Sequence, residues 1–374
     1  MVANDKPLRS ALHDRHVEMK ATMADEASRL VPLSYGNALD EVAETRRRAG
    51  IFDLSHFGRI RVRGDGALDL LEEVCAGDVA GQEDDTTLDT VLCNQQGGIL
   101  DLCRLIRLAD FWVLVTSPIC REKVLAHLKS SAERFGAKVD DQTAKTTMLA
   151  VAGPAAEEIL SAVLPFSISG LAVGDVKFGS LMIVRYIAER TNFTGQWGIC
   201  VSVPNMAASQ AWRFITEAAG DSRIAPAGLA AMDVLRVEAG LCRYGHEINE
   251  TIDPFTCGLE GLLDFGHDFV GREALTAIKE KAPARRLIGL VGKGPRANGA
   301  EGTIFRQGAS VSDSSGTDVG VVTSGTFSPS LGAPVAMALV ACDTTTCTTE
   351  LTVRTGDVEK SAEIVELPFF REGG

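Results

Sequence analysis

From Lys281 onward the chain loses every helical period. RLIGLVG, GTIFRQG, DVGVVTSG, VAMALVAC and LTVRTG follow one another as short apolar runs, separated by Gly, Ser and Asp. Short strands at regular spacing, bounded by turn residues, hide their edges by closing into a small barrel or sandwich. The preceding residues instead alternate helices with strands. The expected class is therefore α+β, with an intertwined α+β region over 1–282, a β-barrel over 283–374, and the boundary at Glu280 to Ala284.

Upstream, ALDEVAETRRRAG from Ala38 reads as a helix with basic residues in its last turn and Gly50 as its stop. Arg59 to Arg63 alternates charge with Ile60 and Val62, the pattern of a half-exposed strand. Asp65 is placed to cap a helix through ALDLLEEV. TVLCN and ILDLCRLIRL flank Gln95-Gln96-Gly97-Gly98, whose paired glycines predict a tight hairpin turn. FWVLVT is a third strand and CREKVLAHLKSSAERF an amphipathic helix. A second strand–helix passage runs from TMLAVAG into PAAEEILSAVL, and 207–219 and 229–239 are further helices.

A net charge of −13 argues against a nucleic-acid or anionic-membrane surface, although it says nothing about one local cleft. The nine cysteines are scattered, with no C-x-x-C pair and no Cys/His cluster at zinc spacing, so they read as reduced, buried side chains. No metal site is expected. With a polar start and no long apolar run, no membrane span is expected, and the chain reads as cytoplasmic.

Common catalytic signatures are missing: no G-x-G-x-x-G opening a helix, no Walker loop, no H-E-x-x-H and no G-x-S-x-G. Asp101 is the carboxylate that stands out. It follows Ile99-Leu100 at the start of the strand leaving the glycine hairpin, among Leu100, Leu102 and Leu105. Two readings remain open: an exposed residue on a sheet edge, or a carboxylate held in a cleft to steady a cation or move a proton. TNFTGQWGIC places Gln196 beside Phe193 and Trp197 on a loop, an amide and two rings suited to a heteroaromatic ligand, although most such loops are only turns. His246 reads as a hydrogen-bonded structural histidine. Arg236 and Glu238, near a helix end, read as an internal structural ion pair.

Taken together, RRRAGIFDLSHFGRIRVRG, NQQGGILD, REK, GLAAMDVLRVEAGLCRYGHEI, FVGREAL and VTSGTFSPSLGAP occur in an order that resembles the aminomethyltransferase family, the glycine cleavage T-proteins and their folate-dependent demethylase relatives. The resemblance spans about His13 to Phe369. It implies three domains in a cloverleaf around a channel for tetrahydrofolate, with Asp101 as the catalytic aspartate. Gln196, Phe193, Trp197, Ser117 and Tyr244 are the implied folate contacts.

The chain also departs from the T-protein pattern. Asp89 stands for a tyrosine, Ser117 for an asparagine, Gln196 for a glutamate, Met232 for an arginine and Leu102 for a second aspartate. These departures resemble the demethylase branch. The expected activity is therefore methyl transfer from a small methylated donor to tetrahydrofolate. The first alternative is an aminomethyltransferase working with a lipoyl carrier protein. A non-catalytic folate-binding scaffold is the third, weakened because NETIDPFTCGLEG keeps the enzyme-branch shape.

Overall fold

The computed structural model describes residues 7–164, 166–217, 224–293, 305–344 and 349–371. The chain divides into two compact units. One comprises Met1–Leu70, Ala80–Leu88 and Cys103–Asp233, the other Leu71–Val79, Asp89–Leu102 and Val234–Gly374.

The first unit is built on sheets. Its six-stranded sheet has the order Val176–Leu181, Val184–Thr191, Gly198–Pro204, Thr146–Ala152, Gly50–Asp53, Ala225–Pro226. Helices Ala156–Val163 and Ala208–Glu217 cover it, so that Ile51, Leu149, Val151, Ile159, Leu160, Ile199 and Trp212 form one core. A three-stranded sheet sets Arg29–Ser34 between Leu8–Arg9 and Thr22–Glu26.

The five-stranded sheet runs Thr86–Cys93, Ile99–Leu108, Phe111–Thr116, Gly58–Arg63, Lys138–Asp141. Residues 89–93 and 99–102 of its first two strands belong to the second unit. Gly136, in the left-handed region at φ 70°, ends helix Arg121–Phe135 as a C-terminal glycine should.

In the second unit the expected barrel closes from six strands, in the order Arg285–Gly292, Ala333–Ala341, Asp318–Ser328, Ser310–Ser312, Glu350–Thr355, Val358–Val365. Leu290, Val311, Val322, Ala336, Ala338, Val340 and Val353 fill it. On Ala333–Ala341 the residues in this core are Ala336, Ala338 and Val340, small enough for a narrow barrel, while Val335 and Met337 pack in a separate cluster with Val237.

Several local expectations are corrected. The first long helix, Ala38–Arg47, stops before Gly50, which instead opens a strand. A Cβ at Gly50 would lie 2.2 Å from Thr45 Oγ1, so glycine serves close packing there rather than a helix stop. Strand Gly58–Arg63 is not half-exposed at Arg59, which is buried. Of GTIFRQG, residues 305–308 are not strand, and the rest lies outside the described residues. The eight described cysteines are thiols and six are buried, as expected of small apolar side chains.

Candidate active site

The glycine hairpin forms as read. Gly97 turns at φ 84°; Asn94 N donates to Gly98 O at 2.8 Å, and Asn94 O accepts from Gly97 N at 3.0 Å. Asn94 organises the turn: its Oδ1 accepts from Gln96 N and Gly98 N, both at 2.9 Å, while its Nδ2 donates to Glu250 O at 2.9 Å. One residue further on, Ile99 N donates to both Asn249 O and Ile252 O. The hairpin is therefore tied at two points to the loop 249–252 of the same unit. Ile99 packs with Ile248, Cys257 and Leu102.

Asp101 follows this anchored start. On strand Ile99–Leu108 the residues Ile99, Asp101, Cys103 and Leu105 share the buried face, and Asp101 is 0% exposed. The sheet-edge alternative is thereby removed. Asp101 Oδ1 accepts from Leu102 N at 2.9 Å. A carboxylate at such a depth is retained only with polar compensation or a ligand to meet.

Tyr244 belongs to the same unit, and its hydroxyl donates to Glu250 Oε1 at 3.2 Å. A groove of about 600 Å³ is lined there by His246, Asn249, Thr251, Asp253, Gln307 and Thr323, among others. This volume suits a small ligand. His246 is a structural histidine, as expected, with Nδ1 3.2 Å from both Thr323 O and Ser324 Oγ. Arg236 and Glu238 each bond other side chains. Arg236 donates to Glu247 at 2.8 Å and to Ser324 Oγ at 2.6 Å, whereas Glu238 accepts from Ser328 and Ser330. Both are buried, and side chains two apart on a helix point in different directions.

Phe193, Gln196 and Trp197 lie in the other unit, on the turn before strand Gly198–Pro204, where Gly195 sits at φ 76°. Gln196 is 4% exposed, and Arg46 Nη1 donates to its Oε1 at 2.8 Å and to Thr194 O at 2.7 Å. The donor fixes which way the amide faces. Its Nε2, 3.5 Å from Arg46 O, makes at best a weak contact on that side. Phe193 meets Phe52 edge-on at 5.6 Å, and Arg190 covers the Trp197 ring at 4.7 Å. Both rings are half-buried. Thr194 is fully buried, and its hydroxyl has no hydrogen-bond partner among the described residues.

Ser117, half-buried, precedes the short turn Pro118–Cys120. Met232 is half-buried beside an enclosure of about 10 Å³, lined also by Phe52, Asp53, His56, Ala227 and Leu229. That space admits about one water. Asp89 is exposed, and Leu102 packs in the apolar clusters.

A buried relay in the first unit was missed. His16 Nε2 lies 2.9 Å from Asp53 Oδ2, and Tyr35 Oη lies 2.8 Å from His16 Nδ1. Ser10 Oγ and Ser55 N also donate to the Asp53 carboxylate. Burial pushes Asp53 up, but the hydrogen bond and charge of His16 and the Ser55 contacts outweigh it and hold the carboxyl down at about 2. The partners are 37 and 19 residues apart, and no local spacing signals them. Among the described residues, no group of three or more His, Cys, Asp or Glu is arranged to hold a metal. No described helix is long and apolar enough to cross a membrane.

The GCVT N-terminal domain family matches residues 12–267, and the glycine cleavage T-protein C-terminal barrel domain family matches 285–371. An aminomethyltransferase of Thermotoga neapolitana is 34% identical over 365 residues, covering 97% of this chain and 98% of its own length. One from Streptomyces avermitilis is 36% identical over 377 residues, covering 99% of each. The crystal structure of the glycine cleavage system aminomethyltransferase T from Bartonella henselae superposes with a TM-score of 0.89 at 29% identity, covering 98% of this chain and 99% of that one. Two family matches in order, relatives similar end to end and a shared fold make one conclusion: this chain belongs to the glycine cleavage T-protein family of aminomethyltransferases.

Proposed function

We propose that the chain is a cytoplasmic, tetrahydrofolate-dependent aminomethyltransferase, taking a one-carbon unit as an aminomethyl group from a lipoyl carrier protein and releasing ammonia. The observation carrying this reading is Asp101, a carboxylate with no exposure whose strand is anchored through Asn94 and Ile99. Tetrahydrofolate, when bound, supplies the amine that accepts the carbon. Asp101 orients that amine and steadies positive charge as it develops, where burial makes a fixed carboxylate most effective.

The residues around Gln196 suit a pterin. Arg46 holds Oε1 and leaves Nε2 to donate to the ring edge, Thr194 offers a buried hydroxyl without a partner among the described residues, and Phe193 and Trp197 present ring faces. Ser117, in the same unit and half-buried, offers a further hydroxyl.

Of the two donors, the aminomethyl group has the better support. The relatives are aminomethyltransferases, similar over nearly their whole length. The test is to incubate the protein with tetrahydrofolate and either an aminomethyl-loaded lipoyl carrier or a panel of methylated amines and sulfonium compounds. Methylene-folate and ammonia from the carrier are expected. Methyl-folate from a methylated donor contradicts the proposal, and so does failure of folate to bind in calorimetry.

A further inference from the structure

Strand Asp318–Ser328 of the barrel carries one residue too many for its neighbour. Val322 lies opposite Ala338, yet Ser324 lies opposite Met337, so Thr323 bulges out of the register. Unbroken pairing would set Ser324 against Ala336, on the face that fills the barrel. The bulge turns it instead to the face of Met337, which packs outside that core with Val335 and Val237. An extra residue re-aims the side chains that follow it, and such bulges recur beside active sites.

Ser324 is thereby brought to a buried ion pair. Its Oγ donates to Glu247 Oε1 at 2.5 Å and accepts from Arg236 Nη2 at 2.6 Å. Arg236 Nη1 in turn donates to Glu247 Oε2 at 2.8 Å. All three side chains are buried, and together they close a ring of charge-assisted hydrogen bonds. The bulge meets the same loop a second time, where Thr323 O lies 3.2 Å from His246 Nδ1.

Glu247 joins this ring to the hairpin that carries Asp101. Its Oε2 also accepts from Arg243 N at 3.0 Å, and its carbonyl oxygen accepts from Cys257 Sγ at 3.1 Å. The next residue, Ile248, shares an apolar cluster with Ile99 and Cys257. Asn249 O and Ile252 O then take the Ile99 N–H, and Asp101 stands two residues along that strand. Every residue in this path belongs to the second unit.

We propose that Ser324, acting through Glu247, is a positioning residue for Asp101, so that the barrel sets where the catalytic carboxylate sits. The Ser324 hydroxyl fixes Glu247, Glu247 fixes the start of the loop 247–252, and that loop holds the first residue of the Asp101 strand. The inference rests on the reading of Asp101 as the group that acts on folate.

The test compares Ser324→Ala and Ser324→Thr by amide hydrogen exchange, folate calorimetry and single-turnover transfer to tetrahydrofolate. In Ser324→Ala the Ile99 amide should exchange about tenfold faster or more, while the Ala338 and Val340 amides keep their protection and show the barrel intact. Transfer should slow roughly tenfold with folate affinity within about twofold of wild type, because placement alone has changed. Ser324→Thr keeps the hydroxyl and should recover most of both. In an Asp101→Asn background, Ser324→Ala should slow transfer no further, since it acts through Asp101. Unchanged exchange at Ile99 overturns the proposal, and so does a slowing that multiplies with that of Asp101→Asn. Failure of the Asp101 reading looks different: Asp101→Asn alone would then transfer at the wild-type rate.

Discussion

Two segments carry the residues assigned to one-carbon chemistry, and they position their functional side chains differently. The hairpin at 94–101 is held by backbone: Asn94 bonds main-chain groups on both sides, and Ile99 N is shared between Asn249 O and Ile252 O. The turn at 191–198 has backbone bonds of its own, Gly195 N to Asn192 O and Gly153 N to Trp197 O, but the amide of Gln196 within it is oriented by one side chain, Arg46, 150 residues away in sequence. A carboxylate that must sit at a fixed point is best placed by a framework that cannot rotate. An amide that reads a ring edge needs only its direction set. Damage to the hairpin should therefore appear in turnover, and damage to the turn in folate affinity and stability.

Asn94→Ala removes the acceptor of two N–H groups and the donor to Glu250 O together. The expected loss in kcat is roughly 10- to 100-fold, since sub-ångström placement governs such steps, with little change in KM for folate. Asn94→Asp keeps the acceptor and loses the donor, so steady-state kinetics should place it between alanine and wild type. A change confined to KM breaks the contrast.

Arg46→Met strands Gln196 Oε1 and Thr194 O, and should lower unfolding free energy by about 2–3 kcal/mol in denaturant titrations. It should also raise KM for folate roughly tenfold while leaving kcat within a few-fold. Gln196→Ala is milder, at about 1–2 kcal/mol, with a similar rise in KM.

An effect confined to acid pH belongs to a pair outside both segments. Asp53 is held down at about 2, below the ordinary carboxylate range, so its contribution to stability is complete above the unfolded value of about 4. That contribution, on the order of 2 kcal/mol, disappears as pH falls through 2. Between pH 4 and 2, wild type should lose stability more steeply than Asp53→Asn. Parallel curves would show that His16 does not hold the carboxylate.

What the sequence made legible follows how far each interaction reaches along the chain. Period-two alternation put Ile60 and Val62 inside, paired glycines gave the turn at Gly97, and the loss of helical periodicity after Lys281 gave the barrel. These are local properties of a strand or turn. Asp101 was visible as an outlier but undecided, because the same alternation describes an edge strand and a buried one. The partners of side chains were not legible. Arg46 and Gln196, His16 and Asp53, and Arg236 and Glu247 are joined by tertiary packing, which leaves no periodic trace. Arg59 looked like one charge of an exposed strand because its carbonyl cage lies partly on residues 143 and 146.

The central claim is that the buried carboxylate of Asp101 drives transfer to folate. Its most direct test is single-turnover transfer from an aminomethyl-loaded lipoyl carrier by Asp101→Asn, with folate binding measured on the same preparation. The expected result is a rate reduced on the order of 100-fold or more, with folate affinity within a few-fold of wild type. A variant that binds folate normally and transfers at the wild-type rate would contradict the claim.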